Sequence, residues 1–378
     1  MIVSRVRMTN VRSRHELRVD FGEGLTILVG PNGAGKTTVM EAVALVLEGV
    51  PLRAAGARDL ISKDRDYLRV EVDIEEAGAV VTAAAAYSRD GDRRLTADGA
   101  ALADSSRWRE ALPVRTFVPD DLRLIKGSPR RRREYLDTLA AGCETEYSVT
   151  LRRYEEALAQ RNSLLRVSRS SPRHGAQHDQ FAPWESLLAQ TGLAVCRWRA
   201  AALASFVEAF QRTHGALTGD PPDSLRLVYR TNVAGLDEDG YQARLEEMRE
   251  GDGRRTYTHL GPHRDDLRLL RKGLDMRDHA SQGEQRTALL TLVLAEWDYQ
   301  CATSGRPLLL LDDVMSELDA ARRRALVAFV SRGGQVVVTT TDLQYFTAEE
   351  LKRATVVELL ADGGRSGPEA GDGGPDDV

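Results

Sequence analysis

A short apolar run at residues 25–29 (LTILV) opens directly into Gly30-Pro31-Asn32-Gly33-Ala34-Gly35-Lys36-Thr37, and this junction restricts the fold more than any other feature of the chain. The pattern GxxxxGK[ST] is useful only between a buried strand and a helix. There, glycines let backbone N–H groups wrap phosphates with no Cβ in the way, and the helix N-terminus adds its positive dipole end. Lys36 is expected to reach the β- and γ-phosphates and Thr37 Oγ to bind Mg²⁺. The following residues, KTTVMEAVALVLE over 36–48, set Val39, Ala42, Val43, Val46 and Leu47 on one face at helical period. The chain holds five lysines against 47 arginines, so a lysine at this place is no by-product of composition. Gly30, Pro31, Asn32, Gly33, Ala34, Gly35, Lys36, Thr37 and Thr38 form the expected nucleotide site, with ATP and Mg²⁺ as its ligands.

Three later segments extend this site. Leu308-Leu309-Leu310-Leu311-Asp312 reads as a buried strand ending in a carboxylate, the Walker B arrangement that turns Asp312 toward Mg²⁺. Asp313 then stands where a general base orients water against the γ-phosphate, and with Lys36 it makes the expected catalytic pair. About thirty residues upstream, Ser281-Gln282-Gly283-Glu284-Gln285-Arg286 opens a helix. Ser281 with Glu284 fits a capping box. The same residues match the ABC-class signature, in which Ser281, Gly283 and Gln285 would meet a γ-phosphate held by a second protomer. A cap and an anion site share one geometry, so both readings stand. Ser316-Glu317-Leu318-Asp319 reads as a helix N-cap or as the D-loop of such a dimer. Ser281, Glu317 and Asp319 are the expected interface residues.

Periodicity places further strands at 2–8, 17–21, 68–74, 79–87 and 114–118. From about residue 129 the sequence turns into long, charged helical stretches, broken at 168–181 by a connector rich in Ser, His, Gln and Gly. Sheet-like sequence returns at 225–229 and 267–270, followed by a helix from 282, a strand at 308–311, a helix near 318–330 and a strand at 335–339. The expected fold is α/β, an ABC-type phosphate-loop lobe split in sequence by a helical second lobe. Its limits are 1–122 and 255–362 for the two halves of the nucleotide lobe and 123–254 for the insertion. An acidic tail at 363–378 is expected to be disordered.

Lys+Arg 52 against Asp+Glu 57 gives a net charge of −5, but residues 361–378 hold five acids and one base, which leaves only −1 for the rest. Basic patches are therefore compatible with an acidic chain. Over 122–133 there are six bases, Arg123, Lys126, Arg130, Arg131, Arg132 and Arg133, and no acid. These are the expected DNA-binding residues, since arginine suits bidentate phosphate contact. A second acid-free stretch, 157–178, carries Arg161, Arg166, Arg169, Arg173, His174 and His178. No stacking aromatics interleave with the basic runs, which favours backbone contact over base readout. The pairs His174/His178 and His259/His263 lack metal-site context, and Cys143, Cys196 and Cys301 form no CxxC pair, so a zinc ribbon or disulfide framework is not expected. No apolar run reaches membrane-span length and the N-terminus lacks a signal-peptide core, so a soluble, cytoplasmic protein is expected.

Over almost the whole chain the sequence resembles the RecF family of bacterial recombination and repair proteins, related to the heads of SMC-type chromosome proteins. The match rests on the phosphate loop, on residues 117–133, on Gln160-Arg161-Asn162, on Gly261-Pro262-His263-Arg264-Asp265-Asp266, and on the signature and Walker B to D-loop segments. The resemblance implies an ATP-driven homodimer on duplex DNA or a single-strand/duplex junction. It also implies cooperation with RecR and RecO in placing RecA on gapped DNA, during replication restart and the SOS response. The helical insertion would be a stub of the SMC coiled coil, and Arg53 would link nucleotide and DNA. Asp313 replaces the usual glutamate, and Thr340-Thr341-Asp342 stands where transporters place a histidine. Both departures imply slow ATP hydrolysis, and the resemblance implies that DNA stimulates it. No Q-loop glutamine is evident, and Asp120 or Asp121 would take its place. A transporter nucleotide-binding subunit is disfavoured by the missing histidine and the long insertion, and a phosphate-loop small-molecule kinase by the signature and D-loop.

Overall fold

The computed structural model describes residues 1–52, 56–119, 122–170, 178–303, 307–360 and 365–366. The chain forms two compact units. One comprises Met1–Asp121, Ala216–Gly219 and Leu290–Val378, the other Leu122–Gly215 and Asp220–Leu289.

In the first unit, period-2 alternation builds an antiparallel sheet in the order Arg14–Asp20, Ile2–Val11, Tyr67–Glu76, Ala79–Ser88, Arg93–Ala97 and Ala100–Leu102. Val3, Val6 and Met8 face inward from its second strand, while Arg5 and Arg7 alternate with them. A second sheet runs Thr355–Leu359, Leu25–Val29, Gln335–Thr340, Leu308–Leu311 and Val114–Phe117, all parallel. Its central strands are buried along nearly their whole length because both faces are covered. Arg365–Ser366 adds antiparallel to the end of Thr355–Leu359; the remainder of the expected disordered tail lies outside the described residues. The Lys36–Leu47 helix is buried at every residue except Thr37, not on one face only. Val3, Val6 and Met8 of one sheet and Leu308, Leu310 and Val337 of the other belong to the same core cluster as the helix residues Val39, Val43 and Leu47. A helix that is apolar nearly all round is one covered on all sides.

The second unit contains Pro129–Cys143, Tyr147–Ser170, most of His178–Thr218, and a three-stranded antiparallel sheet of Leu225–Arg230, Asp266–Arg271 and Leu274–Asp275. The expected return to the nucleotide lobe after residue 254 therefore does not occur there. Leu225–Arg230 pairs along its length with Asp266–Arg271, which keeps both strands in the second unit up to Leu289.

Arg161, expected in a basic surface stretch, is instead wholly buried. Its Nε donates to Glu185 at 3.0 Å, its Nη1 to Asp252 at 2.7 Å and Thr258 Oγ1 at 2.9 Å, and its Nη2 to the Leu245 carbonyl at 2.7 Å. Ions are tolerated at such depth only when their donors are met this completely. Arg173 and His174 lie outside the described residues.

Candidate nucleotide-binding site

Parallel register brings the site to one sheet edge. Thr340 lies opposite Val29 and Val338 opposite Leu311, so the phosphate loop, Asp312 and Thr339 emerge together at the carboxyl ends of neighbouring strands. Gly33 and Gly35 sit at φ 83 and 82, a left-handed backbone that folds the loop back on itself. The helix then starts at Lys36 with no side-chain cap and no acid in its first turn. Its leading N–H groups therefore have no side-chain acceptor among the described residues, an arrangement suited to binding an anion.

Lys36 Nζ donates to the carbonyls of Gly30 at 2.6 Å and Pro31 at 3.0 Å, which curls the ammonium over the loop. Burial pushes its pKa down, and the nearby carboxylates of Asp313 and Asp312 offset part of that effect. Thr37 Oγ1 donates to the Asp312 carboxylate, 3.0 Å from each oxygen. Thr339 Oγ1 donates to Asp312 Oδ1 at 2.8 Å and accepts the Asp313 N–H at 2.8 Å, and so orients both acids. Asp313 occupies the left-handed region at φ 44, a conformation that aspartate tolerates better than most residues. Its Oδ1 is buried with no partner among the described residues. A cleft of about 370 Å³ joins Asn32, Gly33, Gly35, Lys36, Thr37 and Thr38 to Asp312, Asp313 and Glu317. A backbone N–H cradle beside the hard oxygens of Thr37 and Asp312 fits a nucleotide phosphate with Mg²⁺.

Several members of this site are not among the residues expected from the sequence. Ser13 and Thr339 line the cleft. Arg14 Nη2 donates to the Ala34 carbonyl at 2.6 Å and the Leu360 carbonyl at 2.7 Å, clamping the loop from behind. Arg12 forms a bidentate pair with buried Glu41, both contacts at 2.6 Å. Nothing distinguishes these two arginines among 47. Thr339 alone had a readable cue, as a hydroxyl near the end of a strand that neighbours Walker B.

Ser281 and Gly283 are exposed at the start of the Gln282–Thr303 helix. The Ser281 N–H donates to Glu284 at 2.8 Å and the Glu284 N–H to Ser281 Oγ at 3.3 Å, a complete capping box. Gln285 is turned inward, its amide donating to the carbonyls of Met276 at 2.9 Å and Ala280 at 3.2 Å, so it supports the helix start from beneath. After Walker B, Leu318 is buried while Ser316, Glu317 and Asp319 are exposed. Asp319 caps the Ala320–Val330 helix through the Arg322 N–H at 2.9 Å, which holds its carboxyl below the usual range. Arg323 donates to the Met315 carbonyl at 2.8 Å and lies 4.2 Å from the Tyr345 ring centroid, bracing that loop.

The basic run divides. Arg123, Lys126, Arg130 and Arg131 are exposed. Arg132 is buried and pairs with Asp266, Nε to Oδ1 at 2.6 Å, while Arg133 donates to the Asp265 carbonyl at 3.0 Å. Neither belongs to an open surface as expected. Helical geometry is the reason, for Arg132 shares the inward face with Leu136 and Ala140. In the Gly261 to Asp266 segment, burial pushes His263 down to about 4, so the ring is neutral. Its Nε2 donates to the Thr258 carbonyl at 2.9 Å and its Nδ1 accepts from Tyr154 at 2.6 Å. Arg53, Asp120 and Asp121 lie outside the described residues.

A phosphate loop, a Walker B carboxylate one strand removed from it in the same parallel sheet, and an antiparallel sheet packed over the same helix define a nucleotide-binding head of the ABC and SMC class. The family model for the RecF/RecN/SMC N-terminal domain matches residues 2–359. The DNA replication and repair protein RecF of Heliobacterium modesticaldum is 33% identical over 368 residues, covering 96% of this chain and 98% of that protein. RecF of Gloeobacter violaceus is 32% identical over 366 residues, covering 95% and 97%. The chain belongs to the RecF family within this RecF/RecN/SMC group. A solved structure of the recombination mediator protein RecF-ATP in the RecFOR pathway superposes with a TM-score of 0.78 at 26% identity, covering 96% of both chains. An SMC head domain from Pyrococcus furiosus shares the fold at a TM-score of 0.56 and 16% identity, covering 94% of this chain and 93% of that one.

Proposed function

We propose that this chain is an ATP-dependent DNA-binding protein of recombinational repair, a slow Mg²⁺-dependent ATPase stimulated by DNA. ATP would close a homodimer on duplex DNA or on a single-strand/duplex junction, and hydrolysis would open it. The observation that carries this reading is the alignment of Lys36, Thr37, Asp312 and Asp313 along one cleft beside an uncapped helix N-terminus. Lys36 and the loop amides hold the triphosphate, and Thr37 with Asp312 holds the metal. Mg²⁺ bound there would neutralise charge developing on the transferred phosphoryl oxygens. Asp313 accepts a proton from, or orients, the attacking water.

Asp313→Asn is expected to slow single-turnover hydrolysis by about 10²- to 10⁴-fold, the usual contribution of a general base, while ATP binding is retained and the dimer persists longer on DNA. A hydrolysis rate equal to wild type would make Asp313 a bystander.

Exposed Ser281 and Gly283 would complete the partner protomer's nucleotide site, with Glu317 and Asp319 at the same interface. The relatives named for DNA replication and repair, and the RecFOR pathway of the solved structure, support a role with RecR and RecO in RecA loading, replication restart and the SOS response. The second unit would be the lobe corresponding to the SMC coiled-coil base. Among the described residues no helix is long and apolar enough to cross a membrane, and a DNA partner favours the cytoplasm.

One titration tests the DNA assignment. Raising ATP should increase both the dimer fraction in sedimentation and the affinity for labelled DNA. The double variant Arg130→Glu with Arg131→Glu should weaken binding regardless of sequence and flatten the slope of log affinity against log salt by about two units, one counterion per lost phosphate contact. An unaltered slope would reduce that run to a solvated helix face. DNA affinity indifferent to ATP would overturn the coupling.

A further inference from the structure

Gln160-Arg161-Asn162 and the Gly261 to Asp266 segment play no part in the phosphate cleft described above. Three of their side chains, Arg161, Asn162 and His263, converge on one residue of the second unit, Thr258, which is buried. Asn162 Oδ1 accepts from the Thr258 N–H and Oγ1, both at 2.8 Å. Arg161 Nη1 donates to Thr258 Oγ1 at 2.9 Å, and His263 Nε2 to the Thr258 carbonyl at 2.9 Å. Two residues earlier, Thr256 ends the Arg249–Arg255 helix in the left-handed region at φ 65, a conformation costly for a β-branched residue. With the chain pinned at Thr258 and twisted at Thr256, Tyr257 between them is turned outward and left 42% exposed.

Two planar groups accompany it. The His259 ring lies 4.2 Å from the Tyr257 centroid at 34°, its orientation set by Nδ1 against Asp252 Oδ1 at 2.7 Å. The Arg264 guanidinium stands 5.3 Å from the same centroid. Arg255 and Arg264 are both exposed. Phenol, imidazole and guanidinium gathered at an exposed, cationic spot offer a π surface beside positive charge. That combination suits a planar base with its adjoining phosphate.

We propose that Tyr257, with His259 and Arg264, is a stacking platform for an unpaired base of single-stranded DNA. This rests on the DNA-binding function proposed above and deepens it. Bases within a duplex keep both faces stacked, so the platform is expected to act only on a single-stranded segment. It also gives the two polar segments a task, which is to hold an aromatic side chain out of the core.

The test uses the full chain with Mg²⁺-ATP and two fluorescent probes, a blunt duplex and the same duplex with a single-stranded extension of about ten nucleotides. Tyr257→Ala should weaken binding to the extended probe about tenfold or more and leave blunt-duplex binding unchanged, while Tyr257→Phe, which keeps the ring, should behave as wild type on both. Equal weakening on both probes, no weakening on either, or a Phe variant as weak as Ala would overturn the platform. If wild type binds neither probe, the underlying DNA-binding function falls and the platform with it. If wild type binds both in an ATP-dependent way and Tyr257→Ala changes nothing, the platform alone falls and the surface is left to a protein contact.

Discussion

Replacing Lys36 with methionine is expected to abolish ATP-dependent dimerisation and to lower hydrolysis by at least about a hundredfold. The ammonium is held over the loop by the Gly30 and Pro31 carbonyls and lies within the field of Asp312 and Asp313. Removing it leaves those carboxylates facing the triphosphate without a compensating cation, so both binding and transition-state stabilisation suffer. The substitution is nearly isosteric and the rest of the helix is packed independently, so folding should survive, as a circular dichroism melt would show. Lys36→Arg keeps the charge but enlarges a group that is only 8% exposed, and it should bind ATP while hydrolysing poorly. Sedimentation with and without ATP is the deciding measurement. Unchanged ATP-dependent association in Lys36→Met would remove the phosphate loop from the mechanism.

Mixing two inactive variants should restore part of the activity. If Lys36 of one protomer and Ser281 of its partner clasp the same ATP, then Lys36→Met and Ser281→Arg are each inactive. A heterodimer of the two nonetheless has one intact site and one doubly broken site. With random pairing half the dimers are mixed and one of their two sites works, so independent sites would recover about a quarter of wild-type ATPase. Ser281 is exposed at an uncovered helix start, which makes its replacement a local change. Energy transfer between differently labelled subunits establishes that mixed dimers form. Mixed dimers without ATPase would mean that the two sites are obligately coupled or that Ser281 acts within its own chain. Full activity of Ser281→Arg alone would leave that serine as a helix cap and dissolve the composite site.

The phosphate loop was legible because its chemistry is contiguous. Eight residues in a row carry the turn, the cation and the hydroxyl that faces Asp312, and the strand Leu25–Val29 before them has the bounds its apolar run implied. Leu308–Leu311 was equally plain, since a strand buried on both faces has no alternation to obscure it. The capping box at Ser281 was readable too, because a cap depends on residues three positions apart, and the segment Ser316 to Asp319 was readable as a helix start, although not which of its residues caps the helix.

What depends on residues distant in sequence was not legible. The contact between Arg14 and the Ala34 carbonyl spans 20 residues, that between Arg14 and the Leu360 carbonyl spans 346, and no pattern marks which of 47 arginines turns inward. Arg132 and Arg161 read as members of solvated basic runs. Tertiary packing made them buried ions because Asp266, Glu185 and Asp252 come to meet them from elsewhere in the second unit. The strands at Leu225–Arg230 and Asp266–Arg271 were visible as strands, but their membership of a separate sheet was decided by pairing partners, which a strand's own composition does not specify. By itself the sequence determined the nucleotide chemistry and the family, since local backbone geometry and a short motif suffice for a phosphate cradle. Only the tertiary structure decided which charges face water, because burial is a property of neighbours brought together by the fold and not of the residue that is buried.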